Sequence, residues 1–260
     1  MQHVPLKKFG QNFLTQPAIA QKIVNALDIS NTDTIIEIGP GAGVLTQYII
    51  EKKPAHFTAI EVDPRWADHL QTTFGSPVQI LRDDVLHADL QKLHSGSGSF
   101  KVIGNIPYNI TSPILFKLLD YFPAISQSVL MMQKEVAQRI VSQPGGKDWG
   151  ILSVLMQTFA DITFLFDVGR MNFKPAPKVD SAVLRFEYLE RVEGLDNLSL
   201  YTKIVRSVFN YRRKMLRNSL IRIFDQKIVS SIDFIDLSRR PEQLSIAEFK
   251  QLSNKINLFL

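Results

Sequence analysis

The stretch Ile36-Glu37-Ile38-Gly39-Pro40-Gly41-Ala42-Gly43 joins a short β-branched run to a helical pattern through three glycines in five residues. Glycine turns a strand tightly into a helix and lets a ligand approach the backbone closely. The rest of the chain repeats the same alternation. Strand patterns fall at Thr34–Ile38, Phe57–Glu61, Val78–Leu81, Phe100–Gly104 and Val129–Met132. Helical patterns fall at Pro17–Leu27, Val44–Lys52, Trp66–Thr73, Ser112–Tyr121 and Lys134–Val141. Alternation of this kind predicts an α/β fold with a mostly parallel sheet covered on both faces. Two further strands, Asp161–Val168 and Ser181–Tyr188, complete seven and are expected to form an antiparallel edge. Ser95–Ser99 reads as a flexible loop and Gln143–Gly150 as a glycine-rich one, a candidate mobile lid.

Beyond Tyr188 strand signals fade and helical periodicity takes over, which predicts one domain over residues 1–188 and a small helical one over 189–260. Charge divides at the same place. Residues 1–188 hold 17 basic and 17 acidic groups, whereas residues 189–260 hold 13 basic against 8 acidic, a net of +5. Between Tyr201 and Phe224 lie Lys203, Arg206, Arg212, Arg213, Lys214, Arg217 and Arg222 with no acid among them. One-sided positive charge fits a polyanion partner, and Lys7 and Lys8 add a basic N-terminal arm.

The chain has no cysteine, which excludes a disulfide scaffold, a zinc–cysteine site and a thiol nucleophile. His3, His56, His69, His87 and His94 are scattered without ligand spacing, so no metal site is expected. Residues 1–14 lack the apolar core of a signal peptide, and no apolar run approaches the roughly 20 residues of a membrane span, so a cytoplasmic location is expected.

The glycine turn departs from the dinucleotide fingerprint. Val44 occupies the third position after Gly41, where a small residue is needed, and Pro40 removes an N–H that a pyrophosphate would use. A ligand with a nucleoside but no phosphate fits better, such as S-adenosylmethionine. Glu61 closes the second strand twenty positions after Gly41, where its carboxylate would accept both ribose hydroxyls. Asp84 closes the third strand and would accept the exocyclic amine of the ligand's adenine, while Asp83 reads as a solvated turn residue.

Gly104-Asn105-Ile106-Pro107-Tyr108-Asn109 follows the fourth strand. An adenine N6 amine is a poor nucleophile because its lone pair is delocalised into the ring. The Asn105 side-chain carbonyl and the Ile106 main-chain carbonyl would each accept one N6–H and aim that lone pair at a sulfonium methyl. Pro107 stiffens the turn, and Tyr108 offers a flat face for an extruded base. Phe173-Lys174-Pro175-Ala176-Pro177-Lys178 forms a rigid loop in which Phe173 would close the opposite side of the base pocket, with Lys174 and Lys178 toward phosphate.

These stretches, with Phe9-Gly-Gln-Asn-Phe-Leu14, Glu61-Val-Asp-Pro64 and Met132-Gln-Lys-Glu-Val-Ala137, closely resemble the bacterial small-subunit ribosomal RNA adenine N6,N6-dimethyltransferases over essentially the whole chain. The resemblance implies a Class I (Rossmann-like) methyltransferase fold. It also implies dimethylation of two adjacent adenines in a hairpin loop near the 3′ end of 16S rRNA, within an immature small subunit. By the same likeness Asn12 and Leu14 would line the cofactor pocket, and Gly39, Glu61, Asp84 and Asn105 fall on its other cofactor positions. A monomer is expected. The alternatives are the related large-subunit rRNA adenine methyltransferases, an assembly-checkpoint binding factor, and a nicotinamide dehydrogenase, the last opposed by Val44.

Overall fold

A computed structural model describes residues 10–93 and 98–260. Lys7 and Lys8, and most of the Ser95–Ser99 loop, lie outside the described residues. In chain order the strands are β1 (Phe13–Leu14), β2 (Thr34–Ile38), β3 (His56–Ile60), β4 (Gln79–Leu81), β5 (Phe100–Asn105), β6 (Ile125–Gln133), β7 (Ala160–Val168), β8 (Phe173–Lys174) and β9 (Ser181–Tyr188). The helices are α1 (Pro17–Asn25), α2 (Thr46–Glu51), α3 (Pro64–Phe74), α4 (Leu90–Leu93), α5 (Thr111–Leu119), α6 (Lys134–Ile140), α7 (Ile151–Phe159), α8 (Leu198–Asn210), α9 (Leu216–Leu220), α10 (Gln226–Ser230) and α11 (Ile246–Asn257).

Seven strands form one sheet in the order β4-β3-β2-β5-β6-β9-β7. β2 runs parallel to both β3 and β5, β5 parallel to β6, and β9 antiparallel to β6. Every residue of β2 is buried, as expected of a central strand covered on both faces; Ile35, Ile36 and Ile38 supply apolar surface, and Thr34 and Glu37 are buried polar exceptions. The order reverses between β2 and β5, and ligands of open α/β sheets bind at the carboxyl ends of the strands at such a switch point. There Ile38, just before the glycine turn, pairs in register with Gly104, just before Asn105. The register therefore sets the two motifs side by side.

α3 begins where Asp63 caps it, accepting the Arg65 N–H at 3.1 Å, with Pro64 in the first turn. The Ser245/Glu248 capping box starts α11. Two-residue strands β1 and β8 pair antiparallel, Phe13 with Lys174 and Leu14 with Phe173.

The chain divides into two compact units, Met1–Ala137 with Asp161–Glu190, and Gln138–Ala160 with Arg191–Leu260. The structure thus differs from the contiguous 1–188 division by placing residues 138–160 in the second unit and residues 189–190 in the first. Within that unit Thr158 Oγ1 lies 2.6 Å from the hydroxyl of Tyr201 on α8, and both are buried. An apolar helix reads the same in sequence whichever element covers it, which is why α7 gave no sign of its partner. The candidate lid, Gln143–Gly150, makes its contacts within the second unit. The Trp149 indole is 1% exposed and donates to Leu244 O at 3.0 Å, the Gly145 N–H donates to Glu242 O at 2.8 Å, and Arg212 donates to Lys147 O at 2.5 Å. The loop is thus tied at three points within its own unit.

Candidate active site

A cleft opens at the carboxyl ends of β2, β3, β4 and β5. Gly39 and Gly41 form its floor, Glu61 and Asp84 its polar edge, and Asn105, Ile106, Pro107 and Tyr108 its far wall. Ile38, Ile60, Val62, Val85 and Ile110 supply apolar surface. Three motifs separated in sequence therefore meet in one site.

Gly41 is required twice over. Its φ is +55°, and a Cβ there would lie 2.5 Å from the Phe13 ring. Glu61, 4% exposed, accepts the Gly41 N–H at 3.0 Å through Oε2 and the Asp63 N–H at 2.9 Å through Oε1. Burial pushes its carboxyl above the ordinary range, opposed by those N–H donors. Next to it, Asp63 is held near 2 by the Arg65 side chain at 2.6 Å and by Gln11, whose amide donates to Oδ2 at 3.0 Å. Asp84 accepts the Leu86 N–H at 2.9 Å through Oδ1. Asp83 also lines the cleft, and its Oδ1 accepts the Asp84 N–H at 2.8 Å.

Asn105 ends β5 and donates from Nδ2 to the main-chain carbonyl of Asn12 at 2.9 Å. Its remaining acceptor is Oδ1. Ile106 is buried and its N–H donates to Met131 O at 2.9 Å. Pro107 O accepts the Ile110 N–H at 3.1 Å, closing the short turn that carries Tyr108. The Tyr108 hydroxyl lies 2.6 Å from Ser181 Oγ.

Asn12 lines the cleft, together with Gln11 and Phe13, which the spacing did not single out. Leu14 is buried and lines a smaller neighbouring cavity with Glu37, Gly39 and Asn105. Glu37 is 1% exposed and accepts from the Thr46 hydroxyl at 2.7 Å. Burial pushes its carboxyl up to about 8, and the nearby Glu61 charge acts in the same direction. The only sequence signal for this acid was its place inside a strand of apolar residues. Phe173 corrects an expectation, because it is 4% exposed, packs in the core with Leu14 and Ile35, and does not line the cleft. The β1–β8 pairing turns it inward. Lys174 and Lys178 are exposed.

In the second unit, Arg206, Arg213, Lys214, Arg217 and Arg222 are all exposed, and the Arg222 guanidinium stacks over the Tyr211 ring at 4.6 Å. Arg212 is set apart by its ties to Lys147 O and, at 3.8 Å, to Glu242. Among the described residues no group of three or more His, Asp or Glu side chains is placed to hold a metal, and no helix is long and apolar enough to cross a membrane.

The model of the family described as ribosomal RNA adenine dimethylase matches residues 5–258. A ribosomal RNA small subunit methyltransferase A from Chlorobium phaeobacteroides (strain BS1) is 44% identical over 96% of this chain and 93% of its own length. The protein of that name from Cytophaga hutchinsonii is 41% identical, with 99% of each chain covered. Among solved structures, a dimethyladenosine transferase from Plasmodium falciparum superposes with a TM-score of 0.78 at 23% identity, covering 95% of this chain and 98% of that one. The 23S rRNA methyltransferase ErmE superposes with a TM-score of 0.70 at 25% identity, covering 95% and 100%. With the methyltransferase sheet order, the glycine turn and the Asn105 notch assembled in one cleft, the chain belongs to the ribosomal RNA adenine dimethylase family.

Proposed function

We propose that this dimethylase transfers methyl groups from S-adenosylmethionine to N6 of two adjacent adenines in a hairpin loop near the 3′ end of 16S rRNA. The product is N6,N6-dimethyladenosine, formed in the immature small subunit by a cytoplasmic monomer. The observation that carries this reading is the Asn105 carboxamide at the cleft wall, anchored through Nδ2 with Oδ1 as its acceptor.

The cleft fits the methyl donor. A Cβ on Gly39 would meet nothing closer than Asn105 O at 4.0 Å and would fill the space between the floor and the notch. Glu61 and Asp84 offer carboxylate acceptors for ribose hydroxyls and an adenine amine, and Val62 and Val85 offer apolar faces for the purine. When bound, the donor supplies an electrophilic methyl on a sulfonium.

Asn105 Oδ1 and Ile106 O together hold the two N6–H bonds of the target adenine. That grip draws the nitrogen lone pair out of conjugation and fixes its direction. Tyr108 stacks on the extruded base, whose unstacking costs a few kcal/mol. No strong base is needed, since the N6 proton becomes acidic only once the new bond forms. Positioning supplies most of the acceleration. Phe173 takes no part as a pocket wall; it anchors the strand pair that holds Asn12. Arg206, Arg213, Lys214, Arg217 and Arg222 meet the RNA backbone.

Labelled methyl transfer onto unmethylated small and large subunits, followed by mapping of the modified base, tests the proposal. Two adjacent dimethyladenosines in the small-subunit RNA are expected. Modification of large-subunit RNA alone would overturn it in favour of the activity that ErmE's name carries.

A further inference from the structure

Ser181 does not line the cleft, yet its hydroxyl meets that of Tyr108, a residue that does. Tyr108 is set at one end by the stiff Pro107 turn, with Thr111 Oγ1 donating to Pro107 O at 3.2 Å. At the other end its hydroxyl meets Ser181 Oγ at 2.6 Å. Ser181 is fully buried and opens β9, where it pairs in register with Gln133 of β6. Its neighbour Asp180 is fixed as well. Asp180 O accepts the Lys134 N–H at 3.0 Å and its Oδ1 accepts the Arg170 N–H at 2.9 Å. Ser181 therefore does not yield, and the ring is held at both ends. Burial pushes the phenol above its ordinary value, so it keeps its proton and the hydrogen bond at neutral pH.

A dimethylase must transfer twice to one nitrogen. Before the first transfer the amine has two N–H bonds and both notch carbonyls grip it. Before the second it has one, so half of that grip is gone and a methyl group crowds the notch. More of the positioning then falls to the stacking face, and a misplacement of about 1 Å can cost about a hundredfold in rate.

We propose that Ser181 is a positioning residue that sets the pitch of the Tyr108 ring and thereby secures the second methyl transfer. This rests on the reading of Tyr108 as the platform for the target base.

The test follows N6-monomethyl and N6,N6-dimethyl adenine over time on unmethylated small subunits, using full-length Ser181→Ala, Tyr108→Phe, the double variant and Tyr108→Ala. Ser181→Ala is expected to slow the second transfer about tenfold or more and the first by much less, so that monomethyl product accumulates. Tyr108→Phe removes the same hydrogen bond from the other side and should match it, with the double variant no worse than either. Subunit affinity should stay unchanged, since phosphate contacts dominate it. A wild-type product ratio in Tyr108→Phe, or equal slowing of both transfers in the two single variants, overturns the positioning role. Tyr108→Phe keeps the question open to an answer if Ser181→Ala does not fold. Wild-type rates in Tyr108→Ala would instead overturn the platform reading itself.

Discussion

The side-chain amide of Asn105 donates to the main-chain carbonyl of Asn12 across 2.9 Å, although the two residues lie 93 positions apart. This bond decides which end of the carboxamide is spent. With Nδ2 committed, the carbonyl end is left to accept. The residues flanking Asn12 are held from several sides. Gln11 donates to Asp63, Phe13 packs 4.8 Å from Trp66 between ring centres, and Leu14 pairs with Phe173. The segment at residues 11–14 therefore links the edge of the donor pocket to the notch.

Asn105→Ala is expected to abolish methylation while leaving rRNA affinity close to wild type, read by labelled methyl transfer and by filter binding. Asn105→Asp makes a sharper test. Its carboxylate would face the Asn12 carbonyl as acceptor against acceptor, losing the anchoring bond while keeping the shape. A rate loss of about 10² or more is expected, comparable to removing a donor from a preorganised site. An Asp variant with near-wild-type turnover would falsify the role given to the Asn12 tie. Growth of an Asn105→Ala strain, compared with a deletion, separates catalysis from a pure checkpoint role.

Glu61 binds two main-chain N–H groups with its two oxygens, so it shapes the glycine turn as well as the ribose site. Glu61→Gln puts an NH₂ against one of those N–H groups, and a buried donor left unpaired costs about 1–3 kcal/mol. Both the melting temperature and the calorimetric affinity for S-adenosylmethionine should fall. A fall in affinity with no change in melting temperature would confine Glu61 to ligand contact.

How much of this was legible in the sequence depended on distance along the chain. The glycine turn and the Asn105–Tyr108 notch are runs of adjacent residues, and periodicity placed each at the end of a strand, so their meeting could be foreseen. Pairing between Phe13–Leu14 and Phe173–Lys174 left no trace, because two-residue strands have no period to read. Phe173 looked like a pocket wall for the same reason, since nothing local signals that it turns inward. The Ser181 hydroxyl had no local signal either; it acquires a role only once β9 is placed against β6. In sequence, residues 138–160 read as part of the first domain, because apolar content reports burial and not the burying partner.

The second unit contains two kinds of arginine. Arg213 and Arg217 are exposed, whereas Arg212 is tied to Lys147 O and lies beside Glu242. Arg213→Glu with Arg217→Glu should weaken small-subunit binding and flatten its dependence on salt, because fewer counterions are released per complex. The melting temperature should stay put. Arg212→Ala should show the opposite pattern, a lower melting temperature with a smaller change in salt slope. Unchanged binding in the double variant moves the RNA surface elsewhere.

Glu37 and Asp63 give folding stability opposite dependences on pH. Asp63 is held near 2 from an ordinary 3.8, so the stability it contributes is present above about pH 4 and is lost as pH falls toward 2. Glu37 is raised to about 8 from an ordinary 4.5, so the folded state holds a proton that the unfolded chain releases. Stability must then decline as pH rises from about 4.5 to 8 and level off above that. Glu37→Gln removes the titration and keeps an acceptor for the Thr46 hydroxyl, which donates at 2.7 Å in the wild type. Urea melts from pH 5 to 9 should show a shallower decline in the variant than in the wild type. Parallel curves for the two proteins would mean that Glu37 is ionised in the folded state, with water or a cation reaching it through the small cavity it shares with Gly39 and Asn105.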